Sequence, residues 1–318
     1  MKEKEPRRSQ TDNNPSKKTQ SVKKSEHISA PAAAPEYRYI IPGLLLAVAP
    51  FLVTYILEII AYFADFAIVT ALNTYLGFSI EFDEGSYIGG NMPTNTTVTN
   101  LIYALLCLII FGWWYLMVCE QKRMDSTTAD KADTEKTDNN LLKIIALLAA
   151  GGIAFQLFVD SILSLVRRIA PKLFTSYDEM IDSMTERTFW LMLTVIILGP
   201  IAEELIFRGL TLHFARKVLP IRISVLLSSL LFGIYHGSII QGIYAFAAGI
   251  ILCQIAIKFE SLLPAVFLHI MINTGAYLIP DDLLSAVIPS VLILIMSGAI
   301  IYLTLMKLVV KHDKKTSL

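Results

Sequence analysis

The sequence predicts an all-α polytopic membrane protein of about eight transmembrane helices, with its chemistry concentrated in the later spans, and three observations predict it. The first is composition: 318 residues are 54% hydrophobic and only 17% charged, with a mean hydropathy of +0.58, whereas soluble domains carry about a quarter charged residues. The second is length of apolar runs. A helix needs about 20 apolar residues to cross the hydrocarbon core, and eight runs of about that size lie near 40–62, 98–118, 141–166, 188–212, 221–237, 239–257, 263–279 and 284–309. The third is the placing of charge, which is zero in sum but crowded into the first 38 residues, the interval Glu120 to Asn140 and the tail after Lys307.

Taken in order, residues 1–38 read as a disordered basic cytoplasmic tail. Met1 to Pro35 is rich in Lys, Ser and Asn and has no apolar core, so it is neither a signal peptide nor a packed unit. Residues 39–187 hold three N-terminal spans and their loops. The first helix is expected to run past its span through 63–80, with Glu58 and Asp65 on one face as surface or packing residues. Trp113, Trp114 and Trp190 stand at span ends and are expected in the interfacial belt. Asn95-Thr96-Thr97 matches a glycosylation acceptor, a motif short enough to arise by chance. Residues 188–310 form the core and 311–318 a second cytoplasmic tail.

Lys and Arg gather in the N-terminal tail, at Lys122, Arg123, Lys131 and Lys136, around Arg216, Lys217 and Arg222, at Lys258 and in the C-terminal tail. The positive-inside bias makes these segments cytoplasmic, so that eight spans leave both termini inside. Arg167, Arg168 and Lys172 run against that trend. Three cysteines, Cys107, Cys119 and Cys253, all sit in or beside apolar runs, which fits reduced packing residues and neither a disulfide framework nor a thiolate metal site.

A charge at the centre of a membrane helix costs roughly 2.5–3.5 kcal/mol, yet Glu203, Glu204 and Arg208 fall within six residues of the fourth run. They follow Gly199-Pro200, where proline removes a backbone donor, kinks the helix and frees carbonyls that must face protein or water, implying a polar cavity beside the kink. Glu204 and Arg208 are spaced i,i+4 in the favourable order for an ion pair, while Glu203 points about 100° away. A buried charge network that only holds helices together remains open for the pair; the second glutamate favours a site. His236 and His269 are the two histidines inside apolar runs, with Phe232 one turn before the first and Asn273 one turn after the second. Gly242, Ala245 and Gly249 in the sixth run read as small residues that permit close helix approach.

These residues carry a resemblance. EEXXXR at Glu203, Glu204 and Arg208, FXXXH at Phe232 and His236, FXXG at Phe246 and Gly249, and HXXXN at His269 and Asn273 resemble, in order, the four motifs of the CAAX-protease and bacteriocin-processing family, also called the type II CAAX prenyl endopeptidase family. The resemblance covers about Phe189 to Ile279. It implies an eight-helix intramembrane endopeptidase acting on a membrane-associated, lipidated or bacteriocin-like peptide. Glu203 with His236 would activate water, His269 and Asn273 would donate to the oxyanion, and Glu204, Arg208, Phe232 and Gly249 would support them. No metal is expected as cofactor, although Glu203, His236 and His269 would be the ligands of a zinc site in a metallopeptidase version. The partners expected are a peptide or membrane-protein substrate and membrane lipids, with no nucleic acid; oligomeric state is open.

Two other classes fit part of the pattern. A non-catalytic membrane scaffold or bacteriocin-immunity protein of the same fold would keep its phenotype when Glu203 is replaced. A proton-coupled transporter would also use intramembrane acids and histidines, but no inverted repeat or matched pair of broken helices is visible in the two halves.

Overall fold

A computed structural model of the chain describes residues 37–82, 87–88, 92–93, 95–125, 138–175, 177–178, 188–278 and 281–310. The two terminal tails, the loop with Lys131 and Lys136, and residues 176 and 179–187 of the loop before the fourth run lie outside them. Eight principal helices follow one another: α1 (Tyr37–Leu76), α2 (Thr96–Asp125), α3 (Asp138–Ile169), α4 (Phe189–Val218), α5 (Ile221–Tyr235), α6 (Ile239–Phe259), α7 (Leu263–Leu278) and α8 (Val287–Leu305). A two-residue antiparallel ladder, Tyr87–Ile88 with Met92–Pro93, lies in the α1–α2 connection. The chain is thus an all-α polytopic membrane protein.

One correction concerns length. Six helices are long and apolar enough to cross a membrane, whereas α5 and α7 are shorter. At 1.5 Å per residue, α5 spans only about 22 Å, less than the hydrocarbon thickness of about 30 Å. The fifth and seventh apolar runs thus each hold a helix shorter than the other six among the described residues. Gly237, at φ +70, stops α5, and the Ser238 hydroxyl accepts from the Gln241 N–H to start α6. The turn between them places His236 at a helix end.

The N-terminal helices are joined by buried polar contacts. α1 runs unbroken to Leu76, about 60 Å, so the expected extension through 63–80 is continuous helix as far as Leu76. Asp65 on α1 is fully buried and accepts from the Asn95 N–H at 2.7 Å and the Thr99 hydroxyl at 2.9 Å. An anion is thereby held at the start of α2, where helix N–H groups are unpaired. The Asn95 side chain itself accepts from Val98 N–H and donates to the Glu81 carbonyl. The asparagine of the glycosylation match is thus a helix cap.

Trp113 is exposed, but Trp114 turns inward against Phe111 and Phe214. It packs α2 on α4. The two arginines that break the charge trend also have structural partners: Arg167 pairs with Asp178 at 2.6 Å and lies over Phe174, and Arg168 donates to the carbonyls of Leu284 and Ser285.

α3 packs along α7 and α8, α1 along α2 and α4, and α5 against α6. The α5–α6 contact depends on absent side chains. A Cβ on Gly233 would lie 2.7 Å from the Gly242 carbonyl oxygen, and one on Gly249 would lie 2.9 Å from the Ser229 Cβ. This approach fixes the helix that carries Phe232 and His236.

Candidate functional site

The site begins with a fault in α4. The Gly199 N–H bonds to the Thr194 carbonyl, five residues back rather than four, and the Leu212 N–H does the same to Phe207. Widened turns of this kind collect at functional sites because they re-aim the side chains that follow. In the first of these turns the next residue, Pro200, would donate to Val195, but proline has no N–H. Asn273 on α7 supplies the missing donor: its Nδ2 donates to the Val195 carbonyl at 2.9 Å. The helix break and the asparagine that caps it are one feature built from two helices.

Two glutamates follow the break and meet different surroundings. Glu204 is fully buried. Its Oε1 accepts from Arg208 Nη1 at 2.8 Å and lies 2.9 Å from His269 Nδ1. Arg208 is equally sealed, and its Nε and Nη2 have no hydrogen-bond acceptor among the described residues. The guanidinium carbon sits instead 4.3 Å from the centre of the Phe232 ring, whose negative face attracts a cation. Glu203 keeps 15% of its side chain exposed, and its Oε2 stands 3.5 Å from His269 Nε2. His269 therefore lies between the two acids, one ring nitrogen toward each.

His236 ends α5. Its Nδ1 is 2.8 Å from the Phe232 carbonyl, so the Nδ1 proton is donated there and Nε2 keeps its lone pair. Phe232 stands edge-on to both histidines, 4.8 Å from His236 and 5.6 Å from His269 between ring centres. One aromatic ring thus holds both imidazoles and the guanidinium. Gly249 has no polar part in this; its role is to let α6 touch α5 at Ser229.

Two carboxylates face one guanidinium, with the His269 imidazole between the acids. The chemistry on offer is a partly open carboxylate and an imidazole lone pair beside an imidazole and an amide, with a sealed ion pair behind them.

The structure adds contacts that spacing did not reveal. His269 reaches Glu204 as well as Glu203, and the carboxamide of Asn273 is committed at one N–H to Val195. From α2, outside the four motifs, the Tyr103 hydroxyl lies 3.0 Å from that of Tyr235, next to His236. The polar cavity expected beside Pro200 has a counterpart further along α4, about 280 Å³ in volume, lined by Tyr115, Cys119, His213, Arg216 and Glu260. Glu203, His236, His269 and Asn273 are not among its lining residues.

Both histidines have Nδ1 anchored and Nε2 turned away, a habit of metal-ligating histidines. Among the described residues, however, no three His, Cys, Asp or Glu side chains are grouped to hold a metal ion.

Residues 185–275 match the family model described as Type II CAAX prenyl endopeptidase Rce1-like. No curated protein and no solved structure gives a significant match to the chain.

Proposed function

We propose that this membrane protein, whose residues 185–275 match a Type II CAAX prenyl endopeptidase Rce1-like model, is an intramembrane endopeptidase in which Glu203 and His236 activate water for attack on a peptide bond. The observation that carries the reading is the division of the two adjacent glutamates. Glu204 is spent on Arg208 and His269 in a sealed interior, while Glu203 retains an accessible edge. A general base must reach a proton on water, and Glu203 is the acid free to do so.

His236, with its Nδ1 proton given to the Phe232 carbonyl, offers Nε2 as acceptor to the same water. As the water attacks, the scissile carbonyl becomes an oxyanion. His269, protonated at Nε2, and the second N–H of Asn273 are the donors assigned to it. Arg208 and Glu204 hold the Nδ1 side of His269 and so aim its Nε2. The proton taken from water passes to the leaving amine, and the new carboxylate departs. No step in this reading is routed through a metal.

The substrates that suit this reading are peptides with a prenylated cysteine near the C-terminus, or other membrane-anchored tails that bring a scissile bond to membrane depth. The basic segments set the site to work from the cytoplasmic side, with both termini there. The test is cleavage of a farnesylated CAAX peptide by the purified protein, beside Glu203→Gln. Mass-resolved loss of the last three residues by wild type alone supports the proposal. Equal cleavage by both proteins would sink it. Retention of the wild-type phenotype by Glu203→Ala in cells at normal protein level would return the scaffold reading.

A further inference from the structure

One buried hydroxyl outside the four motifs is tied to the second widened turn of α4. Ser161, Ser224 and Ser297 each return their hydroxyl to the carbonyl four residues earlier on their own helix, the usual partner of a serine inside a helix. Ser228 on α5 does otherwise. It is fully buried and donates across to the Phe207 carbonyl of α4 at 2.8 Å, while accepting from the Cys253 thiol at 3.7 Å.

The carbonyl it reaches is the one that closes the wide turn. It already accepts the Leu212 N–H from five residues on, so Ser228 adds a donor from a second helix at the point where the ladder changes register. A side chain inserted into the ladder in this way is a recognised cause of local distortion. The Phe207 carbonyl and the Arg208 N–H belong to one planar peptide group, and an anchor on the first fixes the direction in which the Arg208 side chain leaves. From there the contacts run without a gap. Arg208 Nη1 donates to Glu204 Oε1 at 2.8 Å, and the same oxygen stands 2.9 Å from His269 Nδ1. On α5, Ser228 lies one turn before Phe232 and His236 one turn after it. One face of that helix therefore supplies the hydroxyl, the ring 4.3 Å from the guanidinium carbon and the second imidazole.

We propose that Ser228 is a positioning residue, which holds the wide turn through the Phe207 carbonyl and thereby sets Arg208, Glu204 and the Nε2 edge of His269. Its effect on turnover rests on the endopeptidase reading; its hold on Arg208 does not.

Two measurements on the full-length protein in detergent test it, and Ser229 supplies the control. Ser229 is equally buried on the same helix, but among the described residues its hydroxyl meets the Cys253 sulfur at 3.9 Å and no backbone carbonyl. With the farnesylated CAAX peptide as probe, Ser228→Ala is expected to lower kcat roughly 3- to 10-fold, the scale of one neutral hydrogen bond, with KM within about twofold. Ser228→Cys, close in shape but a weak donor, should fall by a similar factor and takes its place if the alanine protein does not fold. Ser229→Ala should keep wild-type kcat. The second measurement needs no substrate. Melting temperatures of Ser228→Ala, Arg208→Lys and the double variant form a cycle. Lysine keeps the charge opposite Glu204 but lacks the planar fork that Ser228 aligns, so the double variant should shift by less than the two single shifts together. Coupled shifts without cleavage by wild type would keep the hold of Ser228 on Arg208 and overturn the peptidase reading. Additive shifts, wild-type kcat in Ser228→Ala, or an equal fall in Ser229→Ala would overturn the positioning role.

Discussion

Replacing each glutamate by its amide separates the two acids by experiment. Glu204→Gln keeps the shape and an oxygen for His269 but removes the charge opposite Arg208, whose guanidinium is fully buried and donates to that oxygen at 2.8 Å. Breaking a buried pair from one side costs about 3–5 kcal/mol, because the remaining charge is stranded. That is a large share of the roughly 5–15 kcal/mol by which a protein is stable. Glu203→Gln removes a charge that is 15% exposed and 3.5 Å from an imidazole, and its cost should stay within about 1 kcal/mol, as for sites outside a sealed network. Its effect on turnover is the reverse, a fall of about 10²- to 10⁴-fold from loss of the base. Thermal unfolding of purified protein in one detergent, followed by tryptophan fluorescence, reads the first quantity, and cleavage of the prenylated peptide reads the second. A Glu203→Gln protein that melts many degrees low while Glu204→Gln melts like wild type would refute the division of roles.

Three further outcomes follow from single contacts. Gly249→Val should reduce activity and lower the melting point, since even its Cβ would stand 2.9 Å from the Ser229 Cβ and 3.0 Å from its Cα; an unchanged melting curve would show that α5 and α6 are not in contact there. Asn273→Leu should cost about 1–3 kcal/mol by leaving the Val195 carbonyl unpaired, and the penalty should shrink in a Pro200→Ala background, where the new N–H can serve that carbonyl. Equal penalties in the two backgrounds would discard the account of the helix break. Activity should persist after dialysis against a strong chelator, and stoichiometric zinc lost together with activity would restore the ligand set of Glu203, His236 and His269.

Much of the architecture is legible in the apolar runs, because lipid leaves a chain few ways to satisfy its backbone other than helices. All eight runs contain a helix. Counting apolar residues does not reveal where helical hydrogen bonding stops, so the fifth run reads two residues longer than α5; Gly237-Ser238 held the signal, a left-handed glycine followed by a cap. The contact of Glu204 with Arg208 is written in their spacing. That of His269 with Glu204 is not, since the two are 65 positions apart and periodicity orders only neighbours on one helix. Tyr103 was harder still. It stands in α2 as one more aromatic in an apolar run, and only the fold gives it Tyr235 as a partner. The contact of Trp114 with Phe214 was hidden for a related reason, because an indole at a span end suits both an interface and a neighbouring helix.

The costly features of this protein also depend on one another. Pro200 is tolerable in α4 because Asn273 takes the carbonyl it frees, and Asn273 is in reach because α7 packs beside α4. Glu204 is tolerable because it has both Arg208 and His269, and Arg208 because it has Glu204 and the face of Phe232. Phe232 in turn is held where α5 and α6 touch through glycine. Each element therefore stabilises a defect in another, and none of them is tenable in isolated helices. The same dependence extends to the N-terminal half: α7 leans along α3, and α2 packs on α4 through Trp114. A fragment holding only residues 185–275 would retain every motif residue yet lose α2 and α3 as neighbours, so the arrangement of these side chains belongs to the whole helical assembly.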